Sequence, residues 1–332
     1  MSRADNNGKL PVLAIAGPTA SGKTGLSIEL AKRLNGEIIS CDSMQLYRYM
    51  DIGTAKPTEE EKRGVPHHLM DFLDPTDPKG YSCADYARDA KAVVEDIFSR
   101  GKLPIFCGGT GLYLDAFLRG GSFETTEVDH DLRRELTEFA EIHGAEALHA
   151  MLRELDPEAA EATHPNNVKR VVRAIEIYRA TGCKKSELDR RSREVESPYN
   201  ALVIGLQYQD REILYHRIGR RVDIMLADGL VEETKKLREM GVFETCITAA
   251  QAIGYKELFP YLDGEATLDE VTEILKAATR HYAKRQITWF SAKPYVTWLR
   301  MDGETGIKDF EDIVNNAEKL FSETGFCDII KC

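Results

Sequence analysis

Gly17-Pro18-Thr19-Ala20-Ser21-Gly22-Lys23-Thr24 fits the phosphate-cradle pattern G-x-x-x-x-G-K-[ST] at every fixed position. Its flanks match what such a loop requires. Pro11 to Ala16 (PVLAIA) is a short apolar run that reads as a buried strand. Gly25 to Leu34 (GLSIELAKRL) carries apolar residues at helical spacing. Backbone N–H groups of such a turn, backed by a helix N-terminus, form an anion site. In that site Lys23 reaches an outer phosphate oxygen and the Thr24 hydroxyl a Mg²⁺ ion. The loop therefore calls for a di- or triphosphate. Taken alone it points to a nucleotide- or ATP-binding protein, a triphosphatase or a kinase. It leaves open whether the phosphate is transferred or expelled.

Further along, four more apolar runs read as strands: Glu37 to Cys41, Leu103 to Cys107, Ala201 to Leu206 and Tyr295 to Leu299. Amphipathic stretches at Tyr86 to Arg100, Gly229 to Met240 and Leu268 to Phe290 read as helices. Strands alternating with helices predict an α/β fold, a P-loop NTPase-like parallel sheet flanked by helices. One segment breaks the alternation. Asp131 to Ala180 is helical in pattern throughout. It is reached through the turn-rich Arg119 to His130 and left through the polar Thr181 to Asn200. The division expected is a catalytic core of residues 1–121 plus 200–332 and an all-helical insertion, residues 122–199, acting as a lid.

Composition narrows the class. With 42% hydrophobic and 30% charged residues, the chain reads as an ordinary globular protein, expected in the cytoplasm. No apolar run is long enough to span a membrane, and MSRADNNGKL lacks the apolar region of a secretory signal. Seven cysteines are scattered without a C-x-x-C pair, which reads as reduced thiols rather than disulfides or zinc ligands. A net charge of −11 argues against a protein that coats nucleic acid generally, so the placement of Lys and Arg matters more than their total. No coiled-coil or interface signal is evident, and a monomer is expected.

Ligands of open α/β sheets bind beyond the carboxyl ends of the strands. That rule puts Asp42 and Thr110 beside the phosphate loop, because each follows its strand directly. Asp42 admits three readings: a Mg²⁺ ligand through water, a general base, or a helix N-cap. Ser43, Met44 and Gln45 follow it, and the Gln45 amide suits a base edge. Gly108-Gly109-Thr110-Gly111 is a second Gly-rich turn whose Thr110 is placed to donate to a phosphate oxygen or to the reacting base. Lys56 reads as an anion contact or a surface lysine. His67-His68 reads as structural, since adjacent histidines diverge and a third ligand is missing.

Three basic stripes stand out in this acidic chain. Asn166, Arg170 and Arg173 share one face of a helix that begins near Asn167, Val168 and Lys169, with Val168, Val171, Val172 and Ile175 facing its core. Arg217, Arg220 and Arg221 form a second stripe, and Arg280, Lys284 and Arg285 with His281 a third. Each alone fits a solvated helix face; together they fit a groove for a polyanion.

The segments GPTASGKT, DSMQLYRYMDIGTAKPT, HHLMD, GGTGLYLDAF, HPNNVKRVVRAIEIY, QAIGYKE and TRHYAKRQITWF together resemble the tRNA dimethylallyltransferases, or tRNA isopentenyltransferases, from Gly17 to Phe290. The resemblance implies transfer of a dimethylallyl group from dimethylallyl diphosphate to N6 of the adenosine 3′ of the anticodon in a tRNA anticodon stem-loop. Diphosphate is released. The phosphate loop then holds a leaving group, with Mg²⁺ as cofactor. Asp42 becomes the proton acceptor, Thr110 orients the reactants, and the target base must flip out of its stack. Asp42 to Gln45 and Asn166 to Arg170 become tRNA contacts; Arg217, Arg221, Arg280, Lys284 and Arg285 become contacts to diphosphate or tRNA. Asn167 and Lys169 depart from the Asp and Gln common in the family. Alternatives are an enzyme that prenylates AMP, ADP or ATP, a small-molecule kinase using the same loop, and a non-catalytic RNA-binding module.

Overall fold

The computed structural model describes residues 8–120, 129–304 and 306–326. Its centre is a parallel sheet of six strands: β1 (Leu10–Ala16), β2 (Gly36–Ser40), β3 (His67–His68), β4 (Leu103–Gly108), β5 (Tyr199–Gln207) and β6 (Val296–Arg300). The spatial order is β3-β2-β4-β1-β5-β6. Parallel strands need crossovers, so both faces are covered by helices and the strands read as apolar runs rather than alternating ones. Along β1 the side chains nevertheless part by period two. Leu13 and Ile15 pack with Leu26, Leu30 and the C-terminal Val314 and Phe321; Val12, Ala14 and Ala16 pack with Tyr86, Val94, Phe117 and Phe290. Each fully buried aliphatic or Phe side chain of these layers stabilises the fold by about 1.5–3 kcal/mol.

The strands anticipated from the apolar runs are all present, with ends displaced by one or two residues. β3 was not anticipated. Two histidines offer no apolar run; the strand is held by parallel pairing of Ile38 with His67 and Ile39 with His68. Behind the phosphate loop, the helix Lys23–Arg33 starts from Gly22, whose φ of 100° lies in the left-handed region that glycine tolerates. Gly22 brings no side-chain cap to the helix. The positive helix end is thus left for an external anion.

The chain divides into two compact units, Met1–Gly120 with Ser197–Cys332, and Gly121–Glu196. The second contains the helices His130–His143, Ala145–Leu155, Pro157–Glu161, Val168–Thr181 and Lys185–Glu194. Its own core is built from Leu136, Leu148, Leu152, Val171 and Ile175. Buried Glu176 receives Arg133 at 2.6 and 2.7 Å and Arg173 at 3.2 Å. The segment expected as a polar connection from Thr181 to Asn200 is corrected here: it holds the Lys185–Glu194 helix. Asp156, itself buried, accepts the Ser186 N–H and hydroxyl at 2.9 and 2.6 Å and pins the first turn. Lys185 with Asp189 and Arg191 with Glu187 support it at i,i+4 spacing. Such a helix needs no apolar stripe, which is why its sequence resembles a loop. Of the inbound connection, residues 121–128 lie outside the described residues.

Candidate active site

Register brings the chemistry together. Ala16 lies level with Gly108 on β4 and Gly205 on β5, and Ser40 on β2 is level with Cys107. The phosphate loop, Asp42 and Thr110 therefore leave the sheet at the same edge. Cys41 accepts the Thr110 N–H at 3.1 Å, and the Thr110 hydroxyl oxygen accepts the Ser43 N–H at 3.0 Å. Asp42 turns one carboxylate oxygen onto the Met44 N–H at 3.0 Å. That bond is a local turn contact rather than the helix N-cap among its three readings, because residues 43–46 form a turn and not a helix, and it orients the carboxylate without preventing other roles.

Thr19, Lys23, Thr24, Asp42, Ser43, Met44, Gln45 and Arg221 line one cavity of about 320 Å³. The cavity is polar at the loop, and Val222, Met225, Ile253 and Leu275 give it an apolar wall. Lys23 donates to the Pro18 carbonyl at 2.6 Å. Burial pushes its ammonium down to about 8, partly opposed by Asp42. Ala20 holds a φ of 61°, which costs a non-glycine residue about 1–2 kcal/mol. The Arg217 guanidinium donates to its carbonyl at 2.8 Å and holds it there.

The second stripe divides by direction. Arg217 is bonded to the loop, Arg221 lines the cavity, and Arg220 is exposed. Burial lowers the Arg221 pKa, and the Asp42 carboxylate acts against that. In the third, Arg285 lines the cavity over the Tyr282 ring, while Lys284 and His281 are exposed and Arg280 is half-buried. Asn166, Lys169 and Arg170 are exposed at the start of the Val168–Thr181 helix, and Val168 is half-buried. Asn167 is its N-cap, accepting the Arg170 N–H at 3.4 Å. These five belong to the helical unit.

Two side chains, Gln45 and Lys56, are engaged differently from their sequence readings. Gln45 receives the Ser40 hydroxyl at 3.0 Å and donates to the Thr54 and Ala55 carbonyls at 3.2 Å, so its amide supports the neighbouring loop. Lys56 is buried against the Tyr47 carbonyl, Asp51 and Asp71, which makes it a strut rather than a surface or anion-contact lysine. His68 meets buried Glu37 at 2.7 Å, and His67 contacts the Val65 carbonyl at 2.8 Å. Burial raises the thiol pKa of Cys41 to about 12 and also raises that of Cys107, so neither supplies a thiolate.

Other residues at or behind the cavity wall escaped the sequence. Tyr282 interacts with Thr110, and burial keeps its phenol protonated. Glu233 accepts the N–H groups of Asp51, Ile52 and Gly53 and the Tyr255 hydroxyl, all between 2.9 and 3.0 Å, fixing the loop that Gln45 also holds. Gln286 is buried on the Leu268–Ser291 helix beside Thr19. A buried Gln three residues after Ala283 and four before Phe290, on the apolar stripe, is the signal that marks it. As for a metal, oxygen donors at Thr24 and Asp42 on one cavity suit a hard cation. Among the described residues no cluster of three or more His, Cys, Asp or Glu could hold a metal by itself, so Mg²⁺ would take most of its ligands from a bound diphosphate and water. No helix of the described residues is long and apolar enough to cross a membrane.

Comparison with known proteins identifies the family. A family model described as IPP transferase matches residues 45–293. A tRNA dimethylallyltransferase of Halalkalibacterium halodurans is 50% identical over 293 residues, covering 88% of this chain and 92% of that protein. The one of Bacillus subtilis is 51% identical over 297 residues, covering 89% and 92%. The crystal structure of the tRNA isopentenylpyrophosphate transferase from Bacillus halodurans is 46% identical, with a TM-score of 0.69 over 96% of this chain and 99% of that one. A eukaryotic dimethylallyltransferase acting on tRNA is 33% identical, with a TM-score of 0.73 over 88% and 74%. A phosphate loop, a strand-end carboxylate and a shared sheet edge are common to many α/β proteins; a match across some nine-tenths of the sequence is not, and by it this chain belongs to the IPP transferase family.

Proposed function

We propose that this protein transfers a dimethylallyl group from dimethylallyl diphosphate to N6 of the adenosine 3′ of the anticodon in tRNA, releasing diphosphate. The observation that carries the reading is the single cavity. It opens a phosphate cradle, a carboxylate and an apolar wall to one another, the three environments needed for a leaving group, a nucleophile and a prenyl tail.

The chemistry follows from the residues. Breaking the allylic C–O bond builds negative charge on the departing diphosphate. The N–H groups of Gly22, Lys23 and Thr24, with the Lys23, Arg217 and Arg221 side chains, are placed to stabilise it as it develops. Thr24 would hold Mg²⁺, which supplies further charge neutralisation when bound. The tail lies against Val222, Met225, Ile253 and Leu275, and the carbon attached to oxygen faces Asp42. The flipped adenine amine attacks that carbon, forming the N–C bond as C–O breaks. Asp42 takes the proton that the amine sheds, and Thr110 with Tyr282 orients the pair. The exposed Asn166, Lys169 and Arg170 of the helical unit, together with Arg280, Lys284 and Arg285, serve the tRNA backbone. The apolar wall favours this reading over a kinase, whose phosphate acceptor would be polar.

The test is mass analysis of nucleosides from unmodified tRNA incubated with the protein and dimethylallyl diphosphate, beside arms with AMP and with ATP alone. N6-dimethylallyladenosine in tRNA is expected, and its loss by about 10²–10⁴-fold in D42A with tRNA binding kept. Prenylated AMP with untouched tRNA, or turnover of ATP to ADP with no prenyl transfer, would sink the reading.

A further inference from the structure

The two halves of the proposed reaction sit on different loops. The leaving-group cradle follows β1, and Thr110, with Asp42 beside it, follows β4 and β2. No covalent link shorter than a whole crossover sets their separation. One side chain spans them. The Gln286 Oε1 accepts the Thr19 N–H at 2.8 Å, and its Nε2 donates to the Gly109 carbonyl at 3.1 Å. Gln286 is only 5% exposed. The turn presses on it so closely that a Cβ at Gly109 would lie 2.0 Å from Nε2. From Gly109 the connection continues through Thr110 to Cys41 and Ser43, the two neighbours of Asp42.

We propose that Gln286 is a positioning residue that sets the distance between the diphosphate loop and the Thr110–Asp42 turn, and through it the rate of the chemical step. This rests on the function proposed above. An amide is the right group for physical reasons. It must accept on one side and donate on the other, in a site with little water. A carboxylate would accept from Thr19 but face the Gly109 carbonyl with a lone pair. Methionine would fill the space and leave both backbone groups unpaired. Because Thr19 spends its N–H on Gln286, the loss should spare diphosphate binding and fall on geometry. Misplacement by about 1 Å costs on the order of 10²-fold in rate.

The experiment compares wild type, Q286M and Q286E in single-turnover prenyl transfer to tRNA, with the affinity for inorganic diphosphate measured alongside. Q286M is expected to slow the transfer about 10–100-fold while diphosphate affinity stays within about 3-fold. Q286E supplies a readout that a merely structural role would not move. A protonated carboxyl group donates and accepts as the amide does, so its rate relative to wild type should climb as pH is lowered. Titratable and charged side chains around the cavity are Lys23, Asp42, Cys107, Arg221, Tyr282 and Arg285, and the ratio to wild type cancels their common titration. Should Q286M not fold, the Q286E ratio decides. A Q286M rate equal to wild type, or a Q286E ratio flat with pH, overturns the proposal. A wild-type protein inert toward both substrates overturns the function itself, and this role with it.

Discussion

Gly108 is the last residue of β4, and its neighbour across the sheet is the backbone of Cys41. A Cβ built on Gly108 would lie 2.0 Å from the Cys41 carbonyl oxygen, 2.2 Å from its carbon and 2.8 Å from its Cα. All three are main-chain atoms and cannot swing aside. Even the tightest tolerated contact, 3.0 Å, requires the end of β2 to move about 1 Å from β4. That motion carries Asp42 away from Thr110 and stretches the 3.1 Å bond from the Thr110 N–H to Cys41. G108A should therefore lower single-turnover prenyl transfer by on the order of 10²-fold. Stability should drop by only about 1–3 kcal/mol, the range for overpacking, and diphosphate should still bind because Gly17 to Thr24 are untouched. The assay is transfer of a radiolabelled dimethylallyl group to tRNA, with thermal unfolding and diphosphate binding in parallel. A double-mutant cycle sharpens it. If G108A acts by displacing Asp42, then G108A with D42A is no slower than D42A alone. A G108A rate within about 3-fold of wild type, or full additivity with D42A, would refute the reasoning.

Other outcomes are expected at Lys23, Glu37 and Leu148. Because burial holds the Lys23 ammonium near 8 in place of its usual 10.5, diphosphate affinity should weaken as pH rises past about 8, and K23R should remove that inflection. A titration flat between about pH 7 and pH 9.5 would count against it. For the same reason the ligand-free protein should gain stability as pH rises from about 8 towards 10.5, since the unfolded chain then binds the extra proton. Glu37, buried under Arg100, Lys102 and His68, is held well below the usual carboxylate range by those partners. Its contribution is complete above the unfolded value of about 4.3 and fades as pH falls below it, so E37Q should cost about 1–3 kcal/mol at neutral pH and flatten the acid limb of a stability curve. An unchanged acid limb in chemical denaturation would contradict this. L148A should open a cavity in the core of the helical unit, costing about 2–5 kcal/mol there. Weakened tRNA binding with diphosphate binding kept is expected, and equal loss of both in parallel titrations would argue against separate duties for the two units.

Most of the sheet was readable because a parallel strand buried on both faces leaves a continuous apolar run, as PVLAIA and LPIFC do. β3 was not, because two histidines owe their extended shape to the edge of β2 rather than to their own preference. Helix Phe310–Ser322 completes one face with Ile313, Val314, Ala317 and Phe321, although nothing in the chemistry drew attention to it. At the site, the phosphate loop, Asp42 and Thr110 could be placed by the strand-end rule. The apolar wall could not: Val222, Met225 and Leu275 lie on helical stripes that read as ordinary core. Gln45 shows the opposite limit. Its amide reads as a ligand group, and only the fold reveals that Thr54, Ala55 and Ser40 already use it.

The sheet order has a consequence for synthesis on the ribosome. β1 lies at the middle of the sheet, between β4 and β5. β4 is complete at Gly108, but β5 begins at Tyr199, after the whole helical unit. For roughly 90 residues of elongation, on the order of 5–20 s, β1 shows the tunnel exit an unpaired hydrogen-bonding edge. The helical unit, with its own core, emerges during that interval and can fold before the sheet closes. Gln286 and the cavity wall from the last long helix arrive later still. A nascent chain stalled before them would present a phosphate loop without the clamp or the pocket, and truncated chains should aggregate through that edge rather than work slowly.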